Sequence, residues 1–217
     1  GQPAQVAGLE RFFEHAVATR DELVTLTVTL VTVPPAFFDR TLRPLLVARA
    51  GAATTYEMVL SAATAPELQR TIETSDAEVL SAPRVTLSPL QRATVSMLEQ
   101  ISYLKDYTLV RRGDELIADP LVDVVHDGVH AELFAVLLAD GRLGVQCEVE
   151  MQTVVRPIHR VQTDIGAGQP VTIELPRTTG VRFQQTAQMA PGEVVALASQ
   201  KVDGDYLLAL VEAKLEK

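Results

Sequence analysis

The sequence predicts a β-rich α+β fold, with an N-terminal helix and a mixed α/β segment ahead of a series of antiparallel hairpins. Three observations carry that expectation. The run LVTLTVTLVTV at 23–33 alternates apolar residues with threonine at a period of two. Helical spacing occurs only in short stretches of the first 76 residues. Beyond Ala77 the apolar residues fall into successive alternating runs divided by Gly, Pro and Asp.

Taken in order, residues 8–20 place Leu9, Phe12, Phe13, Ala16 and Val17 at helical spacing with charges opposite, the pattern of an amphipathic helix ending near Arg20. The strand at 23–33 is stopped by Pro34 and Pro35, which cannot donate to a ladder. Phe37, Phe38, Leu42, Leu45 and Leu46 then suggest a short helix that Pro44 weakens. Residues 50–54 are small and loop-like, YEMVL is a strand, and 65–74 is a short helix with Pro66 in its first turn. The chain thus divides into 1–76, with helix, opening strand and short helices, and 77–217, the antiparallel part, the two expected to form one continuous domain from about 23 to 215.

In that second part the clearest hairpin joins 129–138 to 143–155 through Asp140-Gly141, which supplies the positive φ of a tight turn. A second joins 194–198 to 206–213 through Asp203-Gly204-Asp205. The segment RRGDE at 111–115 is a charged turn. The strand at 143–155 puts Val145, Cys147, Val149, Met151 and Val155 on one face, and Gln146, Glu148, Glu150 and Gln152 on the other. A monomeric sandwich produces such a dry and a wet face, and so does a barrel with a water-filled lumen.

Composition excludes some partners. With 19 basic and 28 acidic residues the formal net charge is -9, so there is no basic stripe to displace counterions and no nucleic acid is expected. One cysteine, Cys147, cannot form an internal disulfide and reads as a small buried hydrophobe. The chain opens at Gly1 without methionine or an apolar leader core, as a mature or shortened chain would. No uninterrupted apolar run approaches the ~20 residues of a membrane helix.

Chemistry is sparse. His15, His126, His130 and His159 show neither metal-ligand spacing nor pairing with the cysteine. His126 and His130 stand beside Asp123 and Asp127, but four residues along a strand spreads ligands rather than gathering them. GAGQP at 166–170 leads into a strand, not a helix that could hold a phosphate, and no nucleophile elbow or P-loop occurs. No catalytic, cofactor or metal site is expected, and the protein is expected not to be an enzyme.

The segment EVLSAPRVTLSPLQRATV at 78–95 resembles the part of bacterial secretins in which a strand ending in Ser-x-Pro leads through a turn to a strand ending near Gln-x-Ala-x-Val. Ser81, Pro83, Thr86, Gln91 and Ala93 hold the matching positions, with Leu80, Leu87 and Val95. Tyr103 in EQISYL, Gly128 and Val129 at the head of the long hairpin, Pro157 after its returning strand and Gly192 between the late strands continue the ordered match. With LVTLTVTLVTVP as the opening strand and LLALVEAKL as the closing one, the resemblance spans roughly residues 23–215. The chain departs from the family at Ser88-Pro89-Leu90, where Asn-Gly is usual, at Leu98, where glycine is usual, and at Ala196 and Ala198, in place of a double glycine. It also replaces the Pro- and Gly-rich apolar lip between the last strands with SQKVDGD.

The resemblance implies a homo-oligomeric ring or channel whose subunits join strand edge to strand edge. The ring would sit in the bacterial cell envelope, periplasmic or outer-membrane associated, and act in protein export or as a scaffold. Its expected partners are further copies of itself and other envelope secretion components. Gln146, Glu148, Glu150 and Gln152 are then the candidate lumen lining, or else a plain wet face. The charged link at 199–205 cannot embed in a bilayer, so membrane contact is not expected of this chain alone. The alternative is a soluble secretin-fold binding module without pore activity.

Overall fold

The computed structural model describes residues 19, 21–48, 55–113, 115–166 and 170–216. The helix expected over 8–20, apart from Thr19, and the loop over 50–54 lie outside these residues. Among those described, the chain is strand-rich and its sheets are antiparallel, the β-rich α+β class that the sequence predicts. The strands are β1 (Leu23–Val33), β2 (Val47–Ala48), β3 (Thr55–Leu60), β4 (Glu78–Ser81), β5 (Arg84–Leu87), β6 (Arg92–Arg112), β7 (Glu115–Leu137), β8 (Leu143–Val154), β9 (His159–Thr163), β10 (Val171–Leu175), β11 (Thr178–Met189), β12 (Val194–Gln200) and β13 (Tyr206–Glu216). One seven-stranded sheet runs β2-β3-β12-β13-β1-β4, with β5 also on β1; β9 and β10 form a hairpin; a third sheet runs β11-β8-β7-β6.

The structure separates into two compact units interleaved along the chain. One comprises 1–95, 131–149 and 181–217; the other comprises 96–130 and 150–180. The first unit has the core. Its central strand β1 pairs along its full length with β13, from Leu23 opposite Glu216 to Val33 opposite Tyr206. Alternation of apolar residues with threonine would dry only one face. Here Val24, Leu26, Val28 and Leu30 are buried on one side, and Val31 and Val33 on the other. The change coincides with a register shift against β4 between Leu30 and Val31.

The second of these faces is covered by short helical pieces. Pro35 opens a helical turn at its first position, and the chain widens into a π-helical turn at Phe38–Leu42, closed by the Arg43 amide donating to the Phe38 carbonyl at 2.8 Å. Pro44 cannot donate, so the helix goes no further, and Phe38 and Leu42 are left buried. The helix Thr64–Glu73 buries Ala65, Leu68 and Ile72, three positions of one stripe. Its last carbonyls are met by the hydroxyls of Thr74 and Ser75. Both pieces pack on Ala196, Ala198, Tyr206 and Leu208 of β12 and β13.

The second unit is built differently. Of its described residues only Val129 and Val154 are buried apolar side chains. It consists of the outer lengths of β6 and β7, joined at Gly113 with φ 65, together with the β9–β10 hairpin and the adjoining parts of β8 and β11. The alternating runs of the sequence that looked separate, RATVSML with ISYLKDYTLV and LVDVV with VHAELFAVLL, are continuous strands of 21 and 23 residues. The hairpin turn at Asp140-Gly141 forms as expected: Leu138 donates to the Arg142 carbonyl at 2.8 Å, and Gly141 has φ 80.

Candidate functional site

The resemblance-bearing residues mostly perform backbone tasks. Ser81 closes β4 opposite Leu30. The Pro83 carbonyl accepts from the Val28 amide at 2.9 Å, and the Thr86 hydroxyl meets that of Thr25 at 2.8 Å. Gln91 folds the turn before β6, its Oε1 accepting from the Ser88 amide at 3.3 Å, and Ala93 is half-buried on β6. Gly192, φ 82, turns the chain between β11 and β12, where Glu193 donates to the Ala190 carbonyl at 3.1 Å. Pro157 follows a cis peptide after β8.

In the second unit, Tyr103 donates to Asp123 Oδ2 at 3.4 Å, and Lys105 reaches the same oxygen at 2.7 Å. Lys105 first, then the Val124 amide, hold the Asp123 carboxyl below the usual carboxylate range. Polar contacts tie the β9–β10 hairpin to β6, Leu104 donating to Glu174 at 2.9 Å and the Tyr107 hydroxyl to the Thr172 carbonyl at 3.3 Å; within the hairpin Arg160 pairs with Glu174 at 3.0 Å, and just before it Arg156 pairs with Glu99 at 2.9 Å. The Leu104 amide and then Arg160 lower the Glu174 pKa. Asp127 accepts from the Val154 amide at 3.2 Å and His130 Nδ1 meets the Ser96 hydroxyl at 2.8 Å, so both are engaged in holding strands. No group of three or more metal-ligating side chains gathers among the described residues.

Of the four predicted wet-face residues, Gln146 and Glu148 belong to the first unit, and Glu150 and Gln152 to the second. All four are half-buried rather than open. Gln146 and Glu148 share a shallow recess with Arg92, Glu132 and Phe134, and Arg182 donates to Glu148. Opposite them, Val145, Cys147 and Val149 are buried. The dry face does not continue as expected: Val154 is buried, while Val155 is 42% exposed. These two buried valines, Val149 and Val154, are five residues apart, so the period of two slips by one. Beyond β8, Val155 donates its amide to the Arg177 carbonyl at 2.8 Å and belongs to the link rather than the dry face.

Burial pushes the Cys147 thiol up to about 11. A bulky maleimide at pH 7.5 is therefore expected to modify native protein only as fast as it opens, and denatured protein at once. Rapid labelling of the native state would show that the strand faces are reversed.

What sequence reasoning missed is where the apolar surface lies. In the second unit Leu109, Leu116, Leu121, Val122 and Val124 are all exposed, between 41% and 64%. The alternating pattern of 115–125 signalled a strand but not that both its faces are uncovered. No described helix is long and apolar enough to cross a membrane.

These features define a β-rich chain whose long strands expose leucine and valine within the second unit, with no group of metal-ligating side chains among the described residues. No protein-family profile and no curated protein matches it. Among solved structures it is similar to the secretin InvG of the Salmonella SPI-1 type III secretion injectisome, at 13% identity and a TM-score of 0.44, over 100% of this chain and 71% of that one. A second similar structure is the atomic model of the Salmonella SPI-1 injectisome basal body proteins InvG, PrgH and PrgK, again at 13% identity and a TM-score of 0.44. There the chain spans 50% of the matched chain's length.

Proposed function

We propose that the chain is a structural subunit of a secretin-like homo-oligomeric ring or channel of the bacterial cell envelope, serving protein export as conduit or scaffold. One observation carries this: strands of 21 and 23 residues whose outer lengths, in the second unit, expose leucine and valine on both faces and have almost no core of their own. A hairpin of this kind is marginal in water unless more strands or a packing surface cover it. The outer strands of its sheet, β6 and β11, present backbone edges that template pairing with another chain. Copies joined at these edges extend the sheet and remove the edges.

The ordered residue matches from 23 to 215 support the same reading. Function then resides in geometry, with no catalytic residue. Gln146, Glu148, Glu150 and Gln152 lie on the side that faces the lumen or the surrounding water. Further copies, and other envelope secretion components, are the partners.

A second reading, a soluble secretin-fold binding module, is favoured by the link between β12 and β13. It is a tight charged turn, in which Lys201 donates to the Asp205 carbonyl at 2.7 Å and pairs with Asp203 at 2.9 Å. Mass measurement of the purified chain with and without detergent separates the two readings. The ring reading expects one large discrete assembly; a strict monomer in both conditions overturns it in favour of the soluble module.

A further inference from the structure

We propose that Arg92 and Arg182 select the register in which the β6 edge of one copy joins the β11 edge of the next, by excluding the flush alignment. This rests on the self-association reading above. In the sheet β11-β8-β7-β6 the strands alternate in direction, so an incoming β6 lies antiparallel to β11.

A charged row crosses this sheet within the first unit. Counting six residues back along each strand from the Leu138–Arg142 closing bond places Glu132 of β7 directly opposite Glu148 of β8. Like charges directly opposite destabilise a strand pair. Each carboxylate is met by a guanidinium from its outer strand: Arg92 stands 3.8 Å from Glu132, and Arg182 donates to Glu148. The row therefore runs positive, negative, negative, positive, and both edges end in arginine. Those side chains are 67% and 61% exposed.

A flush junction sets Arg182 of one copy directly across from Arg92 of the next. Slipping by one residue offers no escape, because it reverses the faces across the junction and sets the dry side of one copy, which carries the buried Leu133, Val145 and Phe183, against the wet side of the next. Slipping by two keeps the faces: in one direction Arg182 moves opposite Thr94 and Arg92 opposite Gln184, both uncharged, with 178–184 of β11 facing β6, whereas in the other Arg182 passes beyond the start of β6 and only 178–180 face it, so the first is the register left. Register sets the shear of a closed sheet, and shear together with strand number sets its diameter. The two arginines thus bias the assembly toward one size.

The test is the mass distribution of assemblies of the full chain and of its Arg92→Gln/Arg182→Gln double variant at low salt. Wild type is expected to give one discrete mass, and the variant two or more. Wild type in about 1 M salt, where the screening length falls to roughly 3 Å, is expected to move toward the variant's distribution. An Arg92→Lys/Arg182→Lys variant should restore the single mass. If the double glutamine variant keeps the wild-type mass, the proposal is overturned while the self-association reading stands. If that variant fails to fold, the salt series on wild type decides, and a mass that salt leaves unchanged overturns the proposal. A wild-type chain that never assembles removes the self-association reading and this inference with it.

Discussion

Replacing Gly128 with alanine is expected to destabilise the fold by roughly 3 kcal/mol or more, far beyond an ordinary surface substitution. Gly128 holds φ 136, a region that side-chain-bearing residues rarely adopt. A Cβ there would stand 2.1 Å from the Met97 carbonyl oxygen and 3.2 Å from the Leu98 Cα. Both neighbours are backbone of β6, so nothing flexible can yield, and β6 must separate from β7. The appropriate comparison is Gly113→Ala, whose glycine also has positive φ, 65, but has nothing within 4 Å of a built Cβ. That change is expected to cost only the left-handed penalty, about 1 to 2 kcal/mol. Denaturant unfolding of both variants, with the midpoint shifted and the slope unchanged, is the measurement. Equal costs for the two variants would mean that the strands do not approach as described.

This position illustrates what the sequence makes legible. The resemblance to secretins marked Gly128, and the close strand approach gives that mark a physical cause. Periodicity likewise revealed β1, β8 and both hairpin turns, because local alternation and a Gly-containing turn are written in neighbouring residues. It did not reveal β5 or β9, whose RVTL and HRVQT are only 4 and 5 residues long and too short to show an alternation. Nor could it show that β6 and β7 each run through two units, since the strand pattern is the same whether a face is covered or bare. That distinction depends on residues far away in sequence. The row Arg92, Glu132, Glu148 and Arg182 was invisible for the same reason: only Glu148 stood out, and its partners come from three other strands.

Truncating Phe38 to alanine is expected to cost about 3 to 5 kcal/mol, the range for a buried aromatic whose cavity cannot collapse. Phe38 is 0% exposed. Its ring lies 3.7 Å from that of Tyr206 at an interplanar angle of 5°, and 5.1 Å from that of Tyr56. The ring reaches this place because the π-helical turn, fixed by the Arg43 amide on the Phe38 carbonyl, aims both Phe38 and Leu42 at the sheet. Tyr206 sits at the end of β13 paired with Val33, one residue ahead of the Pro34 cap of the helical turn. The stack therefore ties the start of the helical cover to the strand beneath it. A void left there has rigid β-strand on one side and a proline-bounded turn on the other, which limits relaxation. Phe38→Leu, which restores most of the volume but not the stacking, is expected to recover all but about 1.5 kcal/mol. Thermal and denaturant unfolding of the two variants measure the difference. A loss below about 1 kcal/mol for the alanine variant would show that the helical cover contributes little to the core and that the seven-stranded sheet is held from its other face alone.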